Sequence, residues 1–304
     1  MSRRWWRHSL AVVIALVALA WLRLALDPAA PSVAAAPSSL LPVGAEVTDR
    51  PLIAGGFIRI PRDHALTTAQ NDAAISSPAQ EHTHRLWLGS DQQGRDVLAR
   101  LVAGAWRSLW VAMLATLFTL ALGAGVGLAI WGLGKFATPP LRLGIDAALA
   151  LPRLLVLLAL AAILGGGVWS TALAVALISW MEVARTVDAH AQGWAGSPAM
   201  LAAVASGAAR WRLVLRHLLP TTWPLLMALG APLAGRAMLL EASLAFLGFA
   251  GSSGTDSWGR LIADGRRFLP DSWVMVVVPG VVLLGACAVL SRATRRFGRQ
   301  STGV

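Results

Sequence analysis

The chain has 304 residues, of which 56% are hydrophobic and only 13% charged, with a formal net charge of +11 and a positive mean hydropathy. That balance excludes an ordinary soluble domain, whose surface must be wet. The single cysteine, Cys287, excludes an intrachain disulfide and a cysteine-rich metal site.

Six apolar runs are long enough to cross a roughly 30 Å hydrocarbon core, near 9–26, 108–131, 143–164, 168–184, 223–247 and 273–290. Arg3, Arg4 and Arg7 precede the first. It is longer than a signal-peptide core, so it reads as a retained first helix, although the small residues Ala34 to Ala36 imitate a cleavage site. The polar segment 27–105 follows; it opens rich in Pro, Ala and Ser, and the apolar stretch 52–60 is expected to supply a strand or two. Residues 108–134 contain no ionisable side chain, which makes the second run the surest. Gly123, Gly125 and Gly127 lie inside it with no strand before them, so they read as close helix packing and not as a dinucleotide loop. Gly132-Leu133-Gly134-Lys135 fails as a phosphate loop because Phe136 stands where Ser or Thr is required. The chain is therefore expected to carry no nucleotide site.

The third run holds Asp146 and Arg153 around Pro152, and Gly165, Gly166 and Gly167 form a hairpin that makes runs three and four antiparallel neighbours. Glu182 and Arg185 are read as the end of run four, where solvation is cheap. Segment 186–220 is a polar, arginine-bearing helix-turn-helix. Arg236 falls inside run five, and Glu241, five residues on, does not share its helix face. Segment 249–272 carries Arg260, Arg266 and Arg267 beside Asp256, Asp264 and Asp271, and 292–304 is a basic tail. With both termini cytoplasmic, the basic groups at 3–7, 135–142, 185–216 and 292–299 all lie inside, as the positive-inside rule requires. Their position at membrane ends argues against nucleic acid as a partner. His82 and His84 lack a third ligand, so no metal site is expected, and no Ser/His/Asp array marks a membrane-embedded enzyme.

Four ordered motifs carry a family likeness. Residues 201–220 read Leu-Ala-Ala-Val-Ala-Ser-Gly, nine residues, then His-Leu-Leu-Pro. Residues 84–98 read His-Arg-Leu-Trp-Leu-Gly-Ser-Asp-Gln-Gln-Gly-Arg-Asp-Val-Leu, and Asp146 is followed six positions later by Pro152. Residues 240–248 read Leu-Glu-Ala-Ser-Leu-Ala-Phe-Leu-Gly, with Trp258-Gly259 beyond them. Together these resemble the inner-membrane permeases of bacterial ATP-binding-cassette (ABC) importers, in the C-type subunit of dipeptide, oligopeptide and nickel systems. The first motif is similar to that family's "EAA" coupling loop, with Leu201 in place of its glutamate and His217 in place of an apolar residue.

The resemblance implies an all-α integral membrane protein of six transmembrane helices with the type I ABC permease fold. Its parts would be a cytoplasmic N-terminus and first helix (1–26), a periplasmic segment (27–105), a permease core (106–291) with its coupling loop at 186–220, and a cytoplasmic tail (292–304). It implies a bacterial inner-membrane location and four kinds of partner: a second permease, two ABC ATPase subunits, a periplasmic solute-binding protein and membrane lipid. ATP and Mg would be bound by the ATPases, so the chain itself is no enzyme and holds no cofactor. Leu201, Ala202, Ala203, Gly207, Leu219 and Pro220 would couple to an ATPase. Arg210, Arg212 and Arg216 would meet acidic groups there or lipid headgroups. Gly94, Arg95, Asp96, Asp146, Pro152, Glu241, Trp258 and Gly259 are the structural residues of the family pattern. Arg236 departs from it: either it faces the translocation path and favours anionic groups, or it pairs with a carboxylate of the partner permease. The alternative function is a diverged paralogue acting as a membrane assembly or regulatory subunit.

Overall fold

A computed structural model of the chain describes residues 33–35, 46–51, 57–61, 82–85, 87–91, 95–133, 138–249, 256–269 and 273–301. The apolar run at 9–26 lies outside the described residues, so a six-helix count falls beyond them. The fold is helical. Among the described residues four helices are long and apolar enough to cross a membrane, and a bent helix pair makes a fifth crossing if taken as one span. Segment 27–105 adds strands β1 (Val33–Ala35), β2 (Glu46–Pro51), β3 (Phe57–Pro61) and β4 (His82–Arg85). Their order is β1-β3-β2-β4, with β1 parallel to β3 and the other pairs antiparallel, a larger sheet than the strand or two expected near 52–60.

The chain divides into two compact units. The first combines the chain up to Ser108 with 254–281, and the second combines 109–253 with the chain from Val282 onward. Helix α1 (Val97–Leu133) has 37 residues. At 1.5 Å per residue it is about 55 Å long, well beyond the hydrocarbon core.

The third apolar run is not one continuous helix. It is split into α2 (Thr138–Leu149) and α3 (Arg153–Leu164), which meet at 91°. Pro152 has no N–H to continue the ladder of α2, and it pushes Leu151 out of the helical region. Instead its carbonyl accepts from Leu155 and Val156 at 3.1 and 3.2 Å and starts α3. The hairpin after α3 forms as expected. Gly165 and Gly167 take φ of +74° and +138°, values that a side chain would strain, and α3 packs against α4.

Helix α4 (Val168–Ala195) runs eleven residues past the expected end of the fourth apolar run. Ionisable residues interrupt its hydrophobicity, but the helical spacing of its buried face continues through Val183, Val187, Asp188 and Ala191. The charges that broke the pattern are paired: Arg142 Nε and Nη2 donate to Asp188 at 2.7 and 2.9 Å, and Arg185 lies 3.2 Å from Asp146. Glu182 is therefore midway along α4 and not at its end. Gly123 and Gly127, one helical turn apart, form the crossing of α1 with α4. A Cβ on Gly123 would stand 2.5 Å from Val183 Cβ, and one on Gly127 would stand 2.7 Å from the Ala184 carbonyl. At Gly125 nothing lies within 4 Å, so two of the three glycines make the close approach.

The polar segment continues as α5 (Pro198–Ala205), a short α6 (Arg210–Leu213) and a π-helical turn (Val214–Leu218), which runs into α7 (Leu219–Phe246). Pro220 sits in the first turn of α7, and just before it the ladder widens so that the Leu219 N–H reaches the Val214 carbonyl, five residues back. In the first unit α8 (Trp258–Gly265) is followed by a 3-10 turn (Arg266–Phe268). Helix α9 (Val274–Ser301) closes the chain.

Candidate functional site

The expected helix-turn-helix forms, and its ends are set locally. Ser197 caps α5 by accepting from the Met200 N–H at 3.3 Å, and Pro198 occupies the first turn, where its missing N–H costs nothing. After Ala205 the chain reverses at Gly207, with φ of +77°; the Gly207 N–H bonds the Val204 carbonyl and the Ala208 N–H bonds the Ala203 carbonyl.

One face of this segment is built into the membrane unit. Met200, Leu213 and Leu218 are buried in a single apolar cluster with Ala124 and Leu128 of α1, Val183, Val187 and Ala191 of α4, and Leu226 and Leu233 of α7. Ala203 packs against that cluster from the side. The other face exposes Leu201, Val204, Trp211, Leu215 and Leu219. Ala202, Gly207, Arg210, Arg212, Arg216 and Pro220 are also exposed, and the Arg212 guanidinium lies 5.6 Å from the centre of the Trp211 ring. Leu201, which lacks the family's carboxylate, is thus one of several exposed apolar side chains on this segment.

Arg236 is exposed on α7 and has a carboxylate of its own chain beside it. Its Nη1 donates to Glu182 Oε2 at 2.6 Å, and Arg153, from the first turn of α3, donates to Glu182 Oε1. Two guanidiniums thus share one carboxylate. A cavity of about 560 Å³ is lined by Arg153, Glu182, Arg185 and Arg236 together with Leu149, Val183, Thr186, Leu229 and Leu233. Sequence reading singled out Arg236 alone. The signal for the rest was Arg153 and Glu182 in apolar runs, but misplacing the end of α4 hid their common depth.

In the first unit the 84–98 motif turns on Asp91. Asp91 Oδ1 accepts the Arg95 N–H and Oδ2 accepts Arg95 Nε, both at 2.8 Å. Asp96 Oδ1 accepts the Leu98 N–H at 2.8 Å and so caps α1. Gly94 lies outside the described residues. The centre of the group is Arg100, which the motif reading missed. It is buried, and it donates from Nη1 to Asp91, from Nε to Asp256 and from Nη2 to Asp264 at 2.8, 2.7 and 2.8 Å. Trp258, also buried, donates its Nε1–H to the Leu101 carbonyl at 2.9 Å, and Gly259 is buried beside it. Arg100 thus joins the start of α1 to α8. Elsewhere, Asp146 pairs with Arg185, Pro152 makes the bend before α3, and Glu241 is buried in α7. Among the described residues no group of three His, Cys, Asp or Glu is placed to hold a metal ion.

Residues 121–302 match the profile of a family described as binding-protein-dependent transport system inner membrane component. A putative peptide permease protein of Brucella ovis is 35% identical over 195 residues, which cover 64% of this chain and 63% of that protein. The likeness therefore spans a little under two thirds of that relative. A putative peptide transport system permease protein of Brucella suis is 33% identical over 207 residues, 68% of each chain. The probable D,D-dipeptide transport system permease protein DdpC of Escherichia coli is 28% identical over 212 residues, 70% of each chain. Among solved structures, a chain of the MetNI methionine ABC transporter in an inward-facing conformation aligns with a TM-score of 0.55 at 16% identity, covering 67% of this chain and 96% of that one. That is a likeness of fold.

Proposed function

The chain belongs to the family of binding-protein-dependent transport system inner membrane components, and from that premise we propose that it is one permease half of an ATP-driven ABC importer for peptides or a similar small solute. A second permease would complete the pathway, two ATPase subunits would bind and hydrolyse ATP with Mg, and a periplasmic binding protein would deliver the solute. Segment 186–220 would be cytoplasmic and would dock on an ATPase.

One observation carries the reading: this segment has two faces. Met200, Leu213 and Leu218 tie it to the same apolar cluster as α1, α4 and α7, while Leu201, Val204, Trp211, Leu215 and Leu219 remain exposed for a partner. On the proposed reading these exposed apolar side chains, interspersed with Arg210, Arg212 and Arg216, would form the contact with the partner. A partner pressing on the outer face would move helices through the inner one, because packed elements shift as bodies. The replacement of the family's glutamate by Leu201 accords with an apolar docking surface. Arg236 would line the path.

The test is coexpression with ABC ATPase subunits of peptide importers from the same genome. The chain should copurify with them, and Gly207→Val, strained at its positive φ, should abolish copurification while membrane insertion persists. In a Cys287→Ala background, Ser206→Cys should react with a membrane-impermeant thiol reagent only from the cytoplasmic side. Labelling from the periplasm would overturn the reading, and absence of any ATPase would leave the assembly or regulatory alternative.

A further inference from the structure

The Arg153–Glu182–Arg236 group lines two cavities. The larger, of about 560 Å³, reaches Thr186 on α4 and Leu229 on α7. The smaller, of about 190 Å³, reaches Thr116 and Thr119 on α1, Ser179 on α4 and Leu240 on α7. Both are lined by Arg153, Glu182, Leu233 and Arg236. Helix α4 leads into the 196–218 segment and α7 leads out of it. Residues after Glu182 on α4 and before Arg236 on α7 are therefore on that segment's side, and Ser179 and Leu240 are on the far side. The charged group stands at middle depth between them.

A charge-balanced ion pair sets one cation against one carboxylate. Here Glu182 serves two guanidiniums, leaving one surplus positive charge where charge is costly. Each arginine makes a single hydrogen bond to it, not the two-pronged grip that a guanidinium offers a carboxylate. Both arginines line the two cavities, and the Arg236 side chain keeps 48% of its surface accessible. Arg185, on the same wall, is engaged by Asp146. The larger cavity falls within the range of small-molecule sites, with leucine walls and a few convergent polar groups.

We propose that Arg153 and Arg236 form a binding station for the carboxylate of a permeating solute, a peptide C-terminus or a comparable organic acid, and that Glu182 holds the station when no solute is present. Solute carboxylate and Glu182 exchange at Arg236. The choice of solute rests on the transport reading above; the site itself does not. Glu182 acts as an internal competitor, so removing its charge strengthens binding, which a structural ion pair would not do.

The experiment uses the full-length chain in phosphatidylcholine nanodiscs, with radiolabelled alanyl-alanine competed by unlabelled alanyl-alanine or by alanyl-alaninamide. The acid should compete at least about tenfold better than the amide, as expected for a charge-assisted bond. Arg236→Gln and Arg153→Gln, each checked by monodisperse elution, should erase that preference, and Glu182→Gln should raise affinity several-fold. Equal competition by acid and amide, absence of measurable alanyl-alanine binding, or weaker binding in Glu182→Gln would overturn the proposal. So would loss of binding when phosphatidylglycerol replaces part of the phosphatidylcholine, which would assign the guanidiniums to lipid headgroups. Because no ATPase is present, an acid preference without ATPase copurification would sink the transport reading and leave the site standing.

Discussion

Gly123→Ala adds one methyl group where α1 crosses α4. The new Cβ would lie 2.5 Å from Val183 Cβ and 2.7 Å from the Trp180 carbonyl oxygen. Carbon atoms in contact prefer about 3.5–4.0 Å, so the two helices must part locally by roughly 1 Å. One of the two obstacles is backbone, which cannot rotate away. Overpacking of this kind costs typically about 1–3 kcal/mol. Against it stands the greater helix propensity of alanine, about 1 kcal/mol. Gly125→Ala gains the same propensity and meets nothing within 4 Å, so it isolates the packing contribution. Gly123→Ala should therefore be less stable than Gly125→Ala by about 1–3 kcal/mol, or several degrees in midpoint at about 2–4 °C per kcal/mol. Thermal unfolding in detergent, followed by loss of monodisperse elution, measures the difference. Equal midpoints for the two variants would refute the assignment of this crossing to Gly123.

Arg100→Ala should destabilise by about 3–5 kcal/mol, because it strips buried Asp91 of an internal cation and releases Asp256 and Asp264; Arg100→Lys, a point charge without the three-way fork, should recover only part. Thermal unfolding checks both, and an Arg100→Ala midpoint equal to wild type would refute the clasp. Leu201→Glu, at a side chain 57% exposed, should change stability by no more than about 0.5 kcal/mol and should reduce copurification with an ATPase. Stronger copurification would argue against apolar docking.

The membrane class was legible because an apolar run declares itself one residue at a time. The glycine pattern was half legible: all three glycines read alike as close packing, and only the placement of Val183 and Val187 shows that Gly123 and Gly127 make it while Gly125 does not. The end of α4 was misread because paired charges look unpaired in one dimension: Asp188 meets Arg142 46 residues earlier. Arg100 was missed for the same reason, since Asp256 and Asp264 lie 156 and 164 residues away. The bend at Pro152 was foreseeable from proline chemistry, yet hydropathy averages across it. Gly207 was singled out by its motif as a coupling residue, and its positive φ shows that it also makes the turn; the cap at Ser197-Pro198 follows from residue type alone.

Helix α7 contains Pro224 and Pro232 in its interior. Neither supplies an N–H, so the carbonyls of Pro220 and Ala228 lose their usual helical donors. The rod is notched at two heights, both on the near side of Arg236. On the transport reading proposed above, a thrust delivered to its foot at Leu219 would be spent partly in flexing at those notches. On that reading Arg236 would feel a change of tilt and not a slide of the whole helix along the bilayer normal, and its hydrogen bond to Glu182 would be the contact that gives.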